Sequence, residues 1–412
     1  MNGGPAEAQG DELPDEDLEI AYGSPVQGDR GIIDAIQRKT AFKPWHHPVK
    51  QIVRAHQWAA LTKRLIEQRP QAVACLRYFT LPGPDLLDVR VLADICDPLD
   101  VKIEYFGFDI GQEPGEDADA AQTDGEWINA ESALRQAGRI SADALILPDR
   151  LEDLALDQSQ ASAQLRQRPT FDVVNIDACD HLAYLPKGRT HNTFDALGAL
   201  LKHQMTSKTP WLLFVTTRVQ PDLLGNPGVR FQEAISQNLG MPGGFGESLA
   251  GCLGVDPAKL GTSLAAIWAS HDTNFLKLYS IGLGKFLLQF FHMQPNLPAN
   301  VELASCYAYR VHNDEPDMLA MAFRITPGPP RTFAPGIGGA AIVGDLEPAR
   351  AIKVATQAQK LQDLDHALDS DGAIRGEAIA GTEALLSAAN YDLAAWKIWL
   401  AAHEHRPMVI EA

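Results

Sequence analysis

Cysteine is scarce and scattered in this 412-residue chain, and no two cysteines form a C-x-x-C pair. Five cysteines lying far apart argue against a structural zinc site and against a disulfide scaffold, so a reducing cytoplasm is the expected location. The histidines form no H-x-x-x-H pair and the acidic residues form no compact ligand cluster, so no metal site is expected. Neither a G-x-S-x-G elbow nor a Walker-type loop is present, which leaves hydrolase and nucleoside-triphosphatase functions without support.

Long uncharged apolar runs are also missing. The most apolar stretch, residues 274–293, is interrupted by Lys277 and Lys285, which favours buried helix over a membrane span. No positive region followed by an apolar one opens the chain, so no secretory signal is expected. A net charge of -18 and a pI near 5.0 disfavour a protein that holds nucleic acid over its whole surface. A soluble cytoplasmic protein of bacterial type is expected.

Charge is unevenly distributed near the start of the chain. Residues 1–30 are acidic and poor in large apolar side chains, which predicts a disordered tail. Residues 31–70 form a basic helical segment, and its part 38–69 carries an excess of positive charge that could bind nucleic acid. The alternative is a solvated helix face or one paired with an acidic surface. Two sets of apolar positions in this segment point in different directions, so the helix is buried on two sides or bent.

The middle of the chain, residues 71–330, alternates short apolar strands with helices. This alternation predicts an α/β fold in which helices cover both faces of a mostly parallel sheet. Two further strands in residues 301–326 surround a turn and form a terminal antiparallel hairpin, giving a doubly wound sheet of seven strands. The first five strands are predicted at 74–80, 101–109, 142–149, 171–180 and 211–218.

Two Gly/Pro-rich stretches interrupt the pattern. Residues 239–254 are expected to form a mobile loop, either a lid or an ordinary connection between helices. A second stretch begins after Pro327 and precedes residues 345–412, which are predicted to form a small helical appendage.

Residues suited to ligand binding follow four of the predicted strands. In an open parallel sheet, ligands bind beyond the carboxyl ends of the strands. Gly83 lets the backbone approach a ligand closely, and Pro84 suits the first position of a helix. Each acidic residue by itself is better explained as a helix cap or a contact with water, but the ordered set at four strand ends favours a ligand site. The candidate residues are Leu81, Pro82, Gly83, Asp85, Asp109, Asp149, Asp177 and Asp180.

Five alternating strands followed by a hairpin resemble the class I S-adenosylmethionine-dependent methyltransferase superfamily, over about residues 70–326. The resemblance implies S-adenosylmethionine as the cofactor. It implies that Asp109 holds the ribose and Asp149 approaches the adenine. The methionine part would then lie against Thr80, Leu81, Pro82, Gly83 and Asp85, and the candidate bases near the transferred methyl group are Asp177, Asp180 and His181.

Two departures from that superfamily bear on function. The first loop has one glycine where several are usual, and the fourth strand lacks the Asn/Asp-Pro-Pro-aromatic motif of base N-methylation. The leading hypothesis is methyl transfer to an unidentified acceptor. The alternative is a degenerate scaffold that acts through a protein partner or as a homo-oligomer. A nicotinamide-dependent oxidoreductase is disfavoured by the hairpin and by the absent G-x-G-x-x-G. His46 and His47 are either further bases or the entry to a helix.

Overall fold

One mixed sheet organises the computed structural model, which describes residues 38–109, 126–178, 180–241, 243–292, 294, 297–329 and 347–403. The chain divides into two units, Met1–Lys39 and Thr40–Ala412, and the sheet with its helices belongs to the second. The predicted tail, residues 1–30, lies outside the described residues.

The strand order in the sheet is β3-β2-β1-β4-β5-β7-β6-β8. Strands β1 to β5 are parallel, β7 runs antiparallel to both β5 and β6, and β8 pairs parallel with β6. The mostly parallel sheet and its terminal hairpin agree with the sequence-based prediction. The strands are β1 Cys75–Thr80, β2 Lys102–Phe108, β3 Leu145–Leu147, β4 Val173–Asp177, β5 Trp211–Arg218, β6 Ala299–Tyr309, β7 Met318–Pro327 and β8 Gln362–Asp363.

The predicted count of seven strands was wrong, since the described residues form eight. The additional strand, β8, has only two residues, Gln362 and Asp363, and they pair with Tyr307 and Ala308 at the edge of the sheet. Two polar residues carry no alternating apolar pattern, so the sequence had no signal for this strand.

Helices cover both faces of the sheet. Side chains alternate along each strand, so Phe79 faces one core cluster while its neighbour Tyr78 faces the other. Each buried aromatic side chain stabilises the fold by about 1.5–3 kcal/mol. The first helix, α1, spans residues 48–67. In chain order the later helices are α2 Leu87–Cys96, α3 Glu126–Gln136, α4 Gln160–Gln167, α5 Thr193–Gln204, α6 Gly225–Leu239, α7 Phe245–Leu253, α8 Leu260–Trp268, α9 Thr273–His292, α10 Glu347–Ala358, α11 Leu364–Ser370, α12 Gly372–Ala388 and α13 Leu393–Ala402.

The first helix, α1, contains a π-helical segment. It begins as Pro48–Ile52, continues through the π-helix Val53–Ala59 and ends as Ala60–Glu67. A π-helix bonds each residue to the one five positions on, and this spacing brings Val53 and Trp58 into the same core cluster. The change in apolar spacing along the sequence therefore reflects this widened turn.

Two local predictions differ from the structure. Helix α2 begins at Leu87, three residues after Pro84, because the buried Leu86 adopts a left-handed conformation with φ of 51°. Residues 239–254, predicted as a loop, contain helix α7. Its apolar residues Phe245, Leu249 and Leu253 are spaced four apart and buried on one face. The helix outweighs the local glycine content because this face packs into the core.

The C-terminal helices pack against the rest of the second unit. Helix α12 contacts the first turns of α1, and α10 packs on α9 and β6. Trp396 of α13 is fully buried and donates a hydrogen bond from Nε1 to the carbonyl of His46 at 3.0 Å. Among the helices that the structure describes, none is long and apolar enough to cross a membrane.

Candidate functional site

A cavity of about 620 Å³ opens at the carboxyl ends of strands β1 to β4. This volume is within the range of small-molecule sites. One wall consists of strand-end residues, and the other comes from the segment 43–58 and the β6–β7 hairpin. The first, which we call the strand-end wall, includes Leu81, Pro82, Gly83, Pro84, Asp85, Asp109, Asp149, Glu152, Asp177 and Asp180. The other, which we call the second wall, includes Lys43, Trp45, Lys50, Arg54, Trp58, Tyr309, Val311, His312 and Met318.

The loop after β1 is held in place by close packing on β2 and by a hydrogen bond from Tyr391. A Cβ atom on Gly107 would lie 2.8 Å from Cδ of Pro82, so β2 passes directly beneath this loop. Tyr391 donates a 2.6 Å hydrogen bond to Oδ2 of the buried Asp85. No described atom lies within 4 Å of the position of a Cβ on Gly83, which leaves this part of the loop open.

The ends of β2 and β3 contribute carboxylates to the same wall. Asp109 follows β2 and Asp149 follows β3. Oδ2 of Asp149 is buried and has no hydrogen-bond partner among the described residues. Burial and the neighbouring Asp153 raise the pKa of the Asp149 carboxyl. A ligand that donates hydrogen bonds here would satisfy a group that otherwise costs free energy.

A buried polar network lies beneath the cavity. Asp88, in the first turn of α2, accepts hydrogen bonds from the hydroxyls of Tyr78 and Thr80, and Nδ2 of Asn175 donates to Tyr78 at 2.9 Å. Desolvation raises the pKa of Asp88. Thr80, predicted to contact the cofactor, is fully buried and bonds Asp88, and it is not among the residues that line the cavity.

Lys50 joins the two walls. Its Nζ forms an ion pair with Asp177 at the end of β4 and lies 3.4 Å from the hydroxyl of Tyr309 on β6. The same ammonium lies 4.9 Å from the ring centre of Trp58. Asp177 lines the cavity, where it is paired with a lysine 127 positions away in the sequence.

Arg54 and Trp58 belong to the second wall, and both side chains are almost completely buried. Nη2 of Arg54 donates to the carbonyl of Trp45 at 2.9 Å. Nε of Arg54 and Nε1 of Trp58 are buried donors without a partner among the described residues. Burial lowers the pKa of Arg54, while Asp177 and Asp88 act in the opposite direction.

A histidine–aspartate pair lies in the hairpin beside this wall. Nδ1 of His312 donates to Oδ2 of Asp317 at 2.9 Å. The buried Asp317 also accepts bonds from the backbone N–H groups of Val311 and His312, at 2.8 and 3.0 Å. With Nδ1 committed to this carboxylate, Nε2 of the neutral ring is the acceptor.

Sequence reasoning missed Lys50, Arg54, Trp58, Tyr309 and His312. The available signal was a pair of cationic residues, Lys50 and Arg54, four positions apart on a helix whose neighbouring positions are apolar. A cationic side chain that is buried in a protein is nearly always paired with a carboxylate or a ligand. The pattern therefore indicates a polar site next to this helix.

Three predicted histidines do not line the cavity. His181 is half-buried beside Asp180, its Nε2 lies 3.6 Å from that carboxylate, and desolvation lowers its pKa. His47 caps helix α1 by accepting a 3.2 Å bond from the N–H of Val49. His46 packs against the ring of Tyr391 at 4.7 Å between centres. The helix-entry interpretation of His46 and His47 thus matches their geometry, and Asp180 does line the cavity.

The basic stretch 38–69 does not present all its charge to solvent. Lys50 and Arg54 face the cavity, and Arg69 pairs with the buried Asp172. Contact with nucleic acid through this stretch stays a prediction. Among the described residues, no three His, Cys, Asp or Glu side chains are grouped so that they could hold a metal ion.

The sequence profile of a family described as PP_RS20740-like matches residues 39–401, and the chain belongs to that family. A search of curated proteins finds no match. A solved structure from Listeria monocytogenes, provisionally described as a class I S-adenosylmethionine-dependent methyltransferase, is similar at 11% identity and a TM-score of 0.33. That similarity covers 84% of this chain and 74% of the other.

Proposed function

We propose that this chain, as a member of the PP_RS20740-like family, binds S-adenosylmethionine in the cavity and transfers its methyl group to a small acceptor. One observation carries the proposal: four parallel strands in the spatial order β3-β2-β1-β4 end at one cavity, and a carboxylate stands at or soon after each end. Ligands of open parallel sheets bind at this edge. The cavity is large enough for a nucleoside and an amino acid together, with its open side available to an acceptor group.

The strand-end wall suits the parts of the cofactor. Asp109 would accept hydrogen bonds from the two ribose hydroxyls, and the partnerless Oδ2 of Asp149 would accept from the adenine amino group. The open backbone at Gly83 and the fixed carboxylate of Asp85 would face the amino-acid part. These residues suit the cofactor because each of these hydrogen-bond donors of the ligand would meet a carboxylate on this wall.

The second wall would hold the acceptor. S-adenosylmethionine, when bound, supplies an electrophilic methyl group, and the protein contributes proximity and proton removal. Nε2 of His312 would accept the proton that a hydroxyl or amino acceptor loses, and Asp317 would stabilise the resulting imidazolium. Asp177 is less suited as a base while it is paired with Lys50. The roles of Asp177, Asp180 and His181 as bases stay predictions.

Calorimetric titration of the full chain with S-adenosylmethionine and S-adenosylhomocysteine tests this function. We expect micromolar binding that Asp109→Ala weakens by about tenfold or more, because two hydrogen bonds to a carboxylate are lost. Asp143→Ala is the matched control, since Asp143 is exposed and does not line the cavity. Absence of binding at millimolar ligand would overturn the proposal and leave the scaffold alternative.

A further inference from the structure

Two buried donors of the second wall lack acceptors. Arg54 is 4% exposed and Trp58 is 1% exposed, and both line the cavity. Nε of Arg54 and Nε1 of Trp58 make no hydrogen bond to any described residue. Buried donors in folded proteins are nearly always paired, so a group that accepts hydrogen bonds is expected in this part of the cavity.

The position of these donors in the sheet order assigns them to the acceptor side. The ring centre of Trp58 lies 4.9 Å from the ammonium of Lys50, which pairs with Asp177 at the end of β4 and lies 3.4 Å from the hydroxyl of Tyr309 on β6. Strand β6 lies on the far side of β4 from β2 and β3, whose ends carry Asp109 and Asp149. The nucleoside part of the cofactor would therefore lie away from Arg54.

The chemistry of this wall selects a type of ligand. Arg54 is a permanent cation that donates in a planar fork, and Lys43 also lines this wall. The rings of Trp45, Trp58 and Tyr309 supply flat apolar surface around these charges. A carboxylate accepts from a guanidinium and an indole N–H at once, and an attached ring packs on the aromatic side chains.

We propose that Arg54 and Trp58 form a carboxylate subsite for the methyl acceptor, and that the acceptor is a small aromatic acid. This inference rests on the proposed function of the cavity. The carboxylate would satisfy both partnerless donors and place the remainder of the acceptor near His312. The acceptor group that loses its proton is a second polar group of the same molecule, since the carboxylate is held by Arg54.

Benzoate and its neutral isostere benzamide are suitable probes. Each is titrated calorimetrically into the full chain, with and without saturating S-adenosylhomocysteine. The variants are Arg54→Gln, which removes the charge, and Trp58→Phe, which keeps a ring and removes the N–H. Arg64→Gln is the matched control, because Arg64 lies on the same helix and is exposed. Circular dichroism checks that each variant is folded.

We expect benzoate to bind more tightly than benzamide by about tenfold or more, and Arg54→Gln to lower benzoate affinity by about 10- to 100-fold. Trp58→Phe should lower it by about 3- to 10-fold, with S-adenosylhomocysteine affinity unchanged in both variants. Equal binding of benzoate and benzamide would overturn the inference. The inference would also be overturned if Arg54→Gln and Trp58→Phe lowered the affinity for S-adenosylhomocysteine and left benzoate affinity unchanged. In that case the two donors would bind the carboxylate of the cofactor itself. Failure of S-adenosylhomocysteine to bind the unmodified chain would contradict the proposed function separately.

Discussion

The ammonium group of Lys50 forms an ion pair with the carboxylate of Asp177 although 127 positions separate them in the sequence. The pair connects helix α1 to the end of β4, and Lys50 is only 5% exposed. An ion pair in this position fixes the distance between the two walls of the cavity. Removing one partner leaves the other charge buried without compensation.

Asp177→Asn is therefore expected to lower the free energy of unfolding by about 2 kcal/mol, below the usual cost for a fully buried pair because Asp177 is partly exposed. Urea denaturation measures this change. The exposed pair Lys63–Glu67 provides the control, and Glu67→Gln should cost less than about 1 kcal/mol. If the two substitutions lower the unfolding free energy equally, the Lys50–Asp177 pair stabilises the protein no more than an exposed pair does.

Gly107→Ala is expected to displace the loop after β1. The new Cβ would lie 2.8 Å from Pro82 Cδ and 3.1 Å from the carbonyl oxygen of Thr80, so the loop must shift. We expect a loss of about 1–3 kcal/mol in unfolding free energy and weaker binding of S-adenosylhomocysteine. Gly198→Ala, in helix α5 with open space around it, should instead stabilise by about 0.5–1 kcal/mol. Unchanged stability of Gly107→Ala would contradict the close approach.

Tyr391→Phe removes the hydrogen bond to Asp85. The bond is 2.6 Å long and buried, so its loss should cost about 1.5 kcal/mol of unfolding free energy. Binding of S-adenosylhomocysteine should also weaken, because Asp85 lines the cavity. Tyr307→Phe, a half-buried tyrosine on β6, is the comparison and should change stability by less than about 0.5 kcal/mol. If the Tyr391→Phe protein binds S-adenosylhomocysteine with unchanged affinity, the position of the loop after β1 does not depend on this hydrogen bond.

Stability should fall in mild acid because of His47. Burial, together with the positive charges of His403, Arg310 and Arg375, lowers the pKa of His47 to about 4 from its ordinary 6.5. The unfolded chain then binds more protons between pH 6.5 and 4, so stability decreases as the pH falls through that window. The contribution is at most about 3 kcal/mol.

His47→Asn tests this contribution, since asparagine retains a helix-capping side chain and does not titrate. Denaturation midpoints measured from pH 7 to pH 4 should show a shallower decline in the variant. His181 and His203 also have pKa values lowered by burial, so part of the decline should persist. Parallel pH profiles for the two proteins would argue against the assignment to His47.

Most strands were predictable because their signals are local, although β3 and β4 are shorter than the predicted ranges 142–149 and 171–180. In β4 the apolar residues Val173, Val174 and Ile176 lie between Asp172 and Asp177, which identifies a buried strand and places Asp177 at its end. Helix α9 likewise followed from a long apolar stretch. Seven of the eight strands in the described residues were found in this way.

The second wall was not predictable in the same way. Its members come from α1 and the hairpin, and they meet only because β6 and β7 join the sheet beyond β5. His312 lies in the turn between β6 and β7, and its bond to Asp317 depends on how that turn closes. The π-helix of α1 also turns Trp58 inward, whereas the apolar spacing left open whether the helix was bent or buried on two sides.

Residues far apart in the second unit meet near the loop after β1, and this affects the order in which the protein folds during synthesis. Tyr391 lies 306 positions after Asp85, and Trp396 lies 350 positions after His46. A chain emerging from the ribosome would complete all eight described strands before either contact could form. Nascent chains should therefore acquire a folded sheet first, and the loop after β1 should be fixed only once Tyr391 and Trp396 have emerged. A proteolytic cut within α12 should leave the sheet folded, while the loop after β1 loses its contact with Tyr391 and becomes more mobile.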